Sequence, residues 1–443
     1  MDVALQEALE REGGDWGVAR ARDAGEVAGS VEALEHSRRA ERNVPILRTH
    51  DRYGNRIDHV ELDPSWHWLL RGAIEREVHS LPWRSQPGTG AHVVRAALFM
   101  LYGHVNAGVM CPVSMTCAAV PALRDGAPEM AAEWEPRLTD PSYERGALAG
   151  MEFQRLKDKL GTRSLPSSEV EFHGAPGRLV GEEGRGVPAI IRMVNHTRLD
   201  CLLGAATGMR RGTIEAIHHA RHRSAFGALL VDQPAMQNVL ADLAIESEAA
   251  TAAALRVARG YDSEDLAFRR FATAVMKYWV CKRASPHAAE ALECLGGNGF
   301  VEESGLPLLY RDAPLNSIWE GSGNVAALDV LRAMLKEPDG LPAFLAECEL
   351  AFGADRRFDA YLERVRDEAV TVFASAEPQF SARRIVEDLA VALQASLLVR
   401  AAPPAVADAF CAARLGGEGG RVYGTLPSAV DARAIIDRAL PAL

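Results

Sequence analysis

Glu320 stands in the stretch Ile318-Trp319-Glu320-Gly321-Ser322-Gly323-Asn324, where small residues follow a carboxylate. A carboxylate framed this way can be aimed as a base at a proton beside a carbonyl group. The plainer alternative is a helix-start carboxylate that serves the helix dipole. Upstream, Arg223 precedes Ser224, Ala225, Phe226 and Gly227. The planar fork of arginine suits phosphate oxygens, although a solvated arginine at a helix end would look the same. Gly296, Gly297 and Gly299, around Asn298, could bring backbone amides up to a pyrophosphate, or could end a helix. His218 and His222 are four apart, as metal ligands on a helix can be, but no glutamate follows His218 and no metal site is expected. The glycine run from Gly416 to Gly420 lacks the Gly-Lys-Ser/Thr of a phosphate loop.

The elements that must carry these residues are mostly helical. At 443 residues, 48% hydrophobic and 25% charged, the composition is ordinary for a globular chain with room for two to four domains. Residues 1–145 read as helical, with a loop-like stretch from Asn43 to Ile57, a helix start at Asp63-Pro64 and a buried run from Ala96 to Tyr102. Residues 146–186 change character: Glu169 to Phe172 alternates like a strand, Leu179-Val180 reads as a second short one, and Gly181, Gly184 and Gly186 interrupt the chain before a helix. Residues 187–336 hold four long helices, a count natural for an antiparallel bundle. Residues 337–443 form a helical extension beyond a joint at Pro338-Asp339-Gly340.

The net charge of −11 gives no general attraction to nucleic acid or an anionic membrane. Seven scattered cysteines without a Cys-x-x-Cys fit a reducing compartment. The polar, acidic N-terminus reads as neither a signal nor a transit peptide, and no apolar run is expected to reach spanning length. A cytoplasmic address and no membrane partner are the expectation.

Taken in order, the Arg223 to Gly227 stretch, Leu295-Gly296-Gly297-Asn298-Gly299-Phe300, and Tyr310-Arg311-Asp312 followed by residues 318–324 resemble the flavin-dependent acyl-CoA dehydrogenase family. The flanks Met110 to Thr116, Arg155 to Gly161, Asn316 to Asn324 and His50 to Gly54 resemble its AidB-type branch, the DNA-alkylation-response group. The resemblance implies a mainly α, acyl-CoA dehydrogenase-like fold: N-terminal helical domain, middle β-domain, C-terminal four-helix bundle and helical extension. It implies a homotetramer with FAD in each subunit. Glu320 becomes the base that removes a proton alpha to a thioester carbonyl. Arg223, Phe226 and Gly227 become contacts to the dinucleotide of a neighbouring subunit, with Gly296, Gly297 and Gly299 at its pyrophosphate. Ile318, Trp319, Gly321, Ser322, Gly323 and Asn324 fall beside the flavin. Relatives carry a glutamine seven residues after the glycine; Pro234 stands there, and Gln233 one earlier takes the role.

The AidB-type branch also implies weak or no dehydrogenase activity and binding of double-stranded DNA through the C-terminal region, for which Arg383, Arg384, Arg414 and Arg421 are the candidates. Residues 336–443 hold 12 Lys and Arg against 16 Asp and Glu, so such binding would need those arginines to cluster. The alternatives are a working dehydrogenase of short branched acyl-CoA, similar to isovaleryl-CoA enzymes, and a flavin-free DNA-associated or scaffold protein. The family's Met-Thr-Glu segment with its Gly-Gly-Ser-Asp end is missing. A closed β-domain, with strands of about 5–6 residues, needs more than the roughly 40 residues between Tyr143 and Gly186, which implies a deletion near Gly146 to Phe153 on the order of 90 residues by the family's spacing. The few remaining strands are expected to lack partners and leave exposed edges.

Overall fold

The computed structural model describes residues 3–84, 90–143, 151–263 and 265–440. Its first part holds helices α1 (Val3–Arg11), α2 (Val18–Ala28), α3 (Val31–Arg42), α4 (Pro64–Glu75), α5 (Leu81–Arg84), α6 (Ala91–Gly103), α7 (Ala107–Gly126) and α8 (Pro128–Leu138). Side-chain caps set the starts of three of them: Ser30 accepts from Ala33 N, Asp63 from Ser65 N and Asn106 from Val109 N. The long bundle helices follow: α9 (Gly186–His222), α10 (Pro234–Asp262) and α11 (Leu266–Glu293), then α12 (Leu306–Asp312) and α13 (Gly323–Lys336). Alanine makes α10 buried almost all round: Ala241, Ala244, Ala249, Ala250, Ala253, Ala254 and Ala258 let α6, α9 and α11 approach closely.

The extension contributes α14 (Gly340–Glu349), α15 (Arg356–Ala374), α16 (Ala382–Ala401), α17 (Pro404–Phe410) and α18 (Ala432–Arg438). It packs directly on the bundle: α16 lies against α10, α11 and α13, and α18 against α10. One buried pair ties the first part to the bundle. Arg95 of α6 grips Asp200 of α9 with both nitrogens, at 2.5 and 2.8 Å, while its Nε donates to Val78 O. Satisfying all of the fork in this way is what makes a buried guanidinium tolerable.

The strands correct several expectations. The loop-like stretch from Asn43 to Ile57 contains β1 (Ile46–His50) and the start of β2 (Arg56–Glu61), an antiparallel hairpin. In the middle segment β3 (Met151–Leu156) pairs with β4 (Ser168–Phe172), but Leu179-Val180 is not a strand. Nor is the edge of β3 bare. Arg56 Nη2 donates to Phe153 O at 3.1 Å and Asp58 Oδ1 accepts from Phe153 N at 3.1 Å. Two side chains of the other hairpin thus occupy the groups that a neighbouring strand would have used. Residues 144–150, where most of the inferred deletion junction falls, lie outside the described residues.

A helix of spanning length also exists against expectation. By length and composition α7 could cross a membrane. It is packed in the protein core, with Val109, Met110, Val113, Cys117, Ala118 and Val120 buried, and such packing accounts for its apolar character. All seven cysteines are free thiols, six of them buried.

Candidate active site

The 318–324 loop runs between a short 3-10 turn (Ala313–Ser317) and α13. Trp319 Nε1 donates to Asn316 Oδ1 at 3.0 Å and its ring packs on the core. Glu320 and Gly321 are both left-handed, with φ of 57° and 106°. A Cβ at position 321 would lie 3.0 Å from Val325 Cγ1, so conformation and space both favour glycine there. At Glu320 the left-handed backbone costs on the order of 1–3 kcal/mol, which the surroundings must offset.

Those surroundings are buried and charged. Arg198 of α9 donates from Nε to Glu320 O at 3.0 Å, and Lys277 of α11 donates from Nζ to Gly321 O. Behind them, Asp329 of α13 accepts from Arg198 at 2.6 Å and from Arg270 at 2.9 Å. Burial alone would raise the Asp329 pKa, but the two guanidiniums outweigh it and hold the carboxyl below its usual range. Burial lowers the Lys277 ammonium pKa.

In front of the loop opens a cleft of about 1100 Å³, open mouth included, walled by α7, α9, α11 and α12. Glu320 and Trp319 line it together with Met110, Cys111, Asp200 and Asp312. Its wall is mainly apolar with a few polar groups, the usual make-up of a small-molecule site. Asp312 accepts from Thr162 N at 2.7 Å. Burial and the nearby Glu41 carboxylate push its pKa up to about 7. A Cβ on Gly161 would sit 2.2 Å from Asp312 Oδ1, so Gly161 lets the middle segment close against the helices at the cleft.

The remaining site residues expected from sequence lie outside the wall of this cleft. Arg223 is exposed at the end of α9 and opens a hairpin of β5 (Ser224–Ala225) and β6 (Ala228–Leu229). Phe226 and Gly227 form its two-residue turn, both at positive φ, 52° and 85°, the type I′ arrangement that suits the twist of a hairpin. Phe226 is 97% exposed at the tip. Gln233 caps α10, and its side chain donates to Ala225 O at 3.3 Å, supporting the hairpin. Gly296 has φ of 58° where α11 ends, and space is open beside it and Gly297. Gly299 has a packing role: a Cβ there would be 1.9 Å from Leu292 O.

The four arginines of the extension do not form a cluster of free cations. Arg383 Nε donates to Asn324 Oδ1 at 2.8 Å and so braces the end of the 318–324 loop. Arg384 pairs with Glu368 at 3.0 Å. Arg414 turns inward to Asp242 and Glu246, its side chain only 18% exposed; this corrects its reading as a surface contact. Burial disfavours a charged Glu246, but Arg283 and Arg414 outweigh it and bring its pKa down to about 2. Arg421 is exposed.

Sequence reasoning missed Arg198, Lys277 and Asp329. The available signal was a lysine or arginine inside an apolar run, as in Val275-Met276-Lys277-Tyr278-Trp279-Val280. Such a residue is expensive to bury without a partner to hold.

Residues 1–145 match the family described as Adaptive response protein AidB N-terminal domain, and residues 184–335 the one described as Acyl-CoA dehydrogenase, C-terminal domain. The chain is 34% identical to the AidB protein of Escherichia coli strain K12, over 95% of this chain and 92% of the relative. The chain belongs to the acyl-CoA dehydrogenase family. Its likeness to AidB along nearly its whole length places it in the AidB-type branch. That alignment runs over 503 positions against the 443 residues of this chain, so at least 60 positions of the relative face no residue here. Acyl-CoA dehydrogenase family member 11 of Caenorhabditis elegans is 34% identical over 51% of this chain and 38% of the relative. Among solved structures, "Bd2924 apo-form" is similar with a TM-score of 0.81 and 25% identity, covering 90% of this chain and 96% of that one. C. elegans ACDH-11 in complex with C11-CoA shares the fold at a TM-score of 0.84 and 23% identity, over 99% and 93% of the two chains.

Members of the family typically bind FAD. Tested on this structure, the dinucleotide end fits. The Arg223 guanidinium makes no hydrogen bond or ion pair among the described residues, and Gly296 and Gly297 face open space. The ring end fits less well: between α8 and α9 the described residues hold two strands, β3 and β4, instead of a closed β-domain.

Proposed function

We propose that this chain is an FAD-binding acyl-CoA dehydrogenase homologue of the AidB type in which Glu320 removes the proton alpha to an acyl-CoA carbonyl, with slow turnover. The observation that carries this reading is the Glu320-Gly321 turn. A non-glycine residue in a left-handed conformation is held at consecutive carbonyls by two buried cations, at the edge of the cleft walled by α7, α9, α11 and α12. Strain of this kind persists where the surroundings enforce it, and functional sites are where it concentrates.

Bound flavin would accept the hydride from the beta carbon. Arg223, Phe226 and Gly227 would meet the phosphates of a dinucleotide seated mainly on a neighbouring subunit, with Gly296 and Gly297 approaching its pyrophosphate. Their place outside the Glu320 cleft and the exposure of Phe226 and Phe300, 97% and 82%, favour a homo-oligomer in which a second subunit covers them. The C11-CoA held by C. elegans ACDH-11 supports a thioester ligand for the cleft.

The test is anaerobic reduction of the FAD-supplemented protein by isobutyryl-CoA. The parent is expected to bleach slowly and Glu320→Gln, which keeps size and removes basicity, to lose the reaction. Equal rates for the two would leave Glu320 as a helix-end residue; rates on the order of 1–1000 per second would indicate a working dehydrogenase instead of a slow one.

A further inference from the structure

Lys277 is 1% exposed in the bundle core, and no carboxylate forms an ion pair with it among the described residues. Its hydrogen bond goes to the carbonyl of Gly321. An ammonium removed from water is costly unless it satisfies a group that needs it, and an apolar side chain would fill the same core. Arg198 is arranged alike: its Nε reaches Glu320 O while its Nη1 is anchored by Asp329. The two cations come from different helices, α9 and α11, and meet successive carbonyls of a single turn whose two residues are both left-handed. With both carbonyls fixed from behind, the Glu320 side chain is left on the side that lines the cleft.

We propose that Lys277 and Arg198 are positioning residues: they clamp the Glu320-Gly321 backbone and so set the direction of the Glu320 carboxylate. The proposal rests on the reading of Glu320 as the base. Asp329, shared by Arg198 and Arg270, fixes the Arg198 half of the clamp. The Lys277 half has no such anchor, so it is the half that a single substitution can remove without leaving a buried charge behind. Reaction geometry is sensitive to such supports, since a displacement of about 1 Å can cost on the order of a hundredfold in rate.

Lys277→Met keeps the length of the side chain and deletes the charge and the donor. Two measurements on the full chain test it: amide hydrogen exchange of the peptide spanning 318–324, and flavin reduction by isobutyryl-CoA after FAD supplementation. In Lys277→Met the peptide is expected to exchange at least about tenfold faster while other peptides are unchanged. The reduction rate should fall about tenfold to a hundredfold at an unchanged half-saturating concentration. Glu320→Gln should lose the rate and keep the parental exchange. Parental exchange and rate in Lys277→Met would overturn the proposal. So would faster exchange throughout the chain with a raised half-saturating concentration, the mark of general loosening. If the parent itself does not reduce flavin, or Glu320→Gln matches it, the base reading fails, and exchange of the 318–324 peptide decides the clamp by itself. Should Lys277→Met fail to fold, Arg198→Lys, which keeps a cation facing Asp329 but loses the Nε donor, is judged by the same two measurements.

Discussion

Lowering the pH should weaken this protein through His196, and replacing that residue isolates the effect. His196 sits in an aromatic cluster, 4.8 Å from the Tyr261 ring, 5.7 Å from Trp83 and 5.8 Å from His92 by ring centroids. Burial, with Arg269 and Arg95 nearby, lowers its pKa from 6.5 to about 3. A histidine held neutral in the folded state contributes its full stability above the unfolded pKa and loses it as pH falls toward the folded one. Each unit of pH below 6.5 favours the unfolded chain by about 1.4 kcal/mol, so at pH 5 the loss is about 2 kcal/mol. Asp262, which caps α6 through His92 N and Val93 N, works in the opposite direction. Burial raises its pKa to about 6, so its contribution improves as pH falls from about 6 toward 4. The parent curve is therefore a sum of opposed terms, and the variant supplies the decisive comparison. In urea unfolding of parent and His196→Phe across pH 7.5 to 5, the stability difference should move by about 2 kcal/mol in favour of the variant. A difference that stays constant to within about 0.5 kcal/mol would show that His196 is not held neutral in the fold.

Purified without added FAD, the protein should carry well under one flavin per chain, read from its visible absorbance, because between α8 and α9 the described residues hold two strands instead of a closed β-domain; Arg223→Ala should lower that ratio further and weaken the oligomer in sedimentation. Asp329→Asn removes the carboxylate between Arg198 and Arg270 and should cost about 3–5 kcal/mol in unfolding experiments, since it leaves the buried Arg198 guanidinium without a carboxylate while Arg270 keeps Glu337. Duplex DNA should not be retarded on a gel at about 0.15 M salt: Arg383, Arg384 and Arg414 already have protein partners, and strong binding without a cluster of phosphate contacts would contradict counterion-release reasoning.

How much of this was legible in the sequence depended on whether the deciding interactions were local. The bundle helices were, since α9, α10 and α11 follow apolar spacing and end at Gly, Pro or Asp signals within a few residues. Glu320 was legible through its neighbours, because a carboxylate followed by Gly-Ser-Gly is an uncommon frame. The β1–β2 hairpin was hidden by polar residues and by Tyr53-Gly54, which read as loop; its strands are mostly exposed and present no apolar alternation. The β5–β6 turn was hidden for another reason. Phe226 stands where Asn or Asp would normally announce a type I′ turn. Arg198, Lys277 and Asp329 come from three helices, and nothing in their individual surroundings says that they meet.

The helical part of the candidate site is intact although, among the described residues, the middle segment holds only β3 and β4. The hydrogen bonds that hold the Glu320-Gly321 carbonyls come from α9 and α11, backed by Asp329 of α13, and among the described residues none of them comes from the middle segment. What the segment must still do is close its own edge and stay docked. Arg56 and Asp58 take up the backbone of Phe153, and Asp312 holds Thr162 beside the cleft. The Asp312 carboxyl, with its pKa pushed to about 7, is then the weak point of that docking. Once ionised, it leaves a charge in the same partly buried site as Glu41, so the contact between segment and cleft should loosen as pH rises through 7. Hydrogen exchange at Thr162 compared between pH 6 and 8, corrected for the intrinsic rate, reads this directly: protection that does not fall would show that the carboxyl is ionised and comfortable in place.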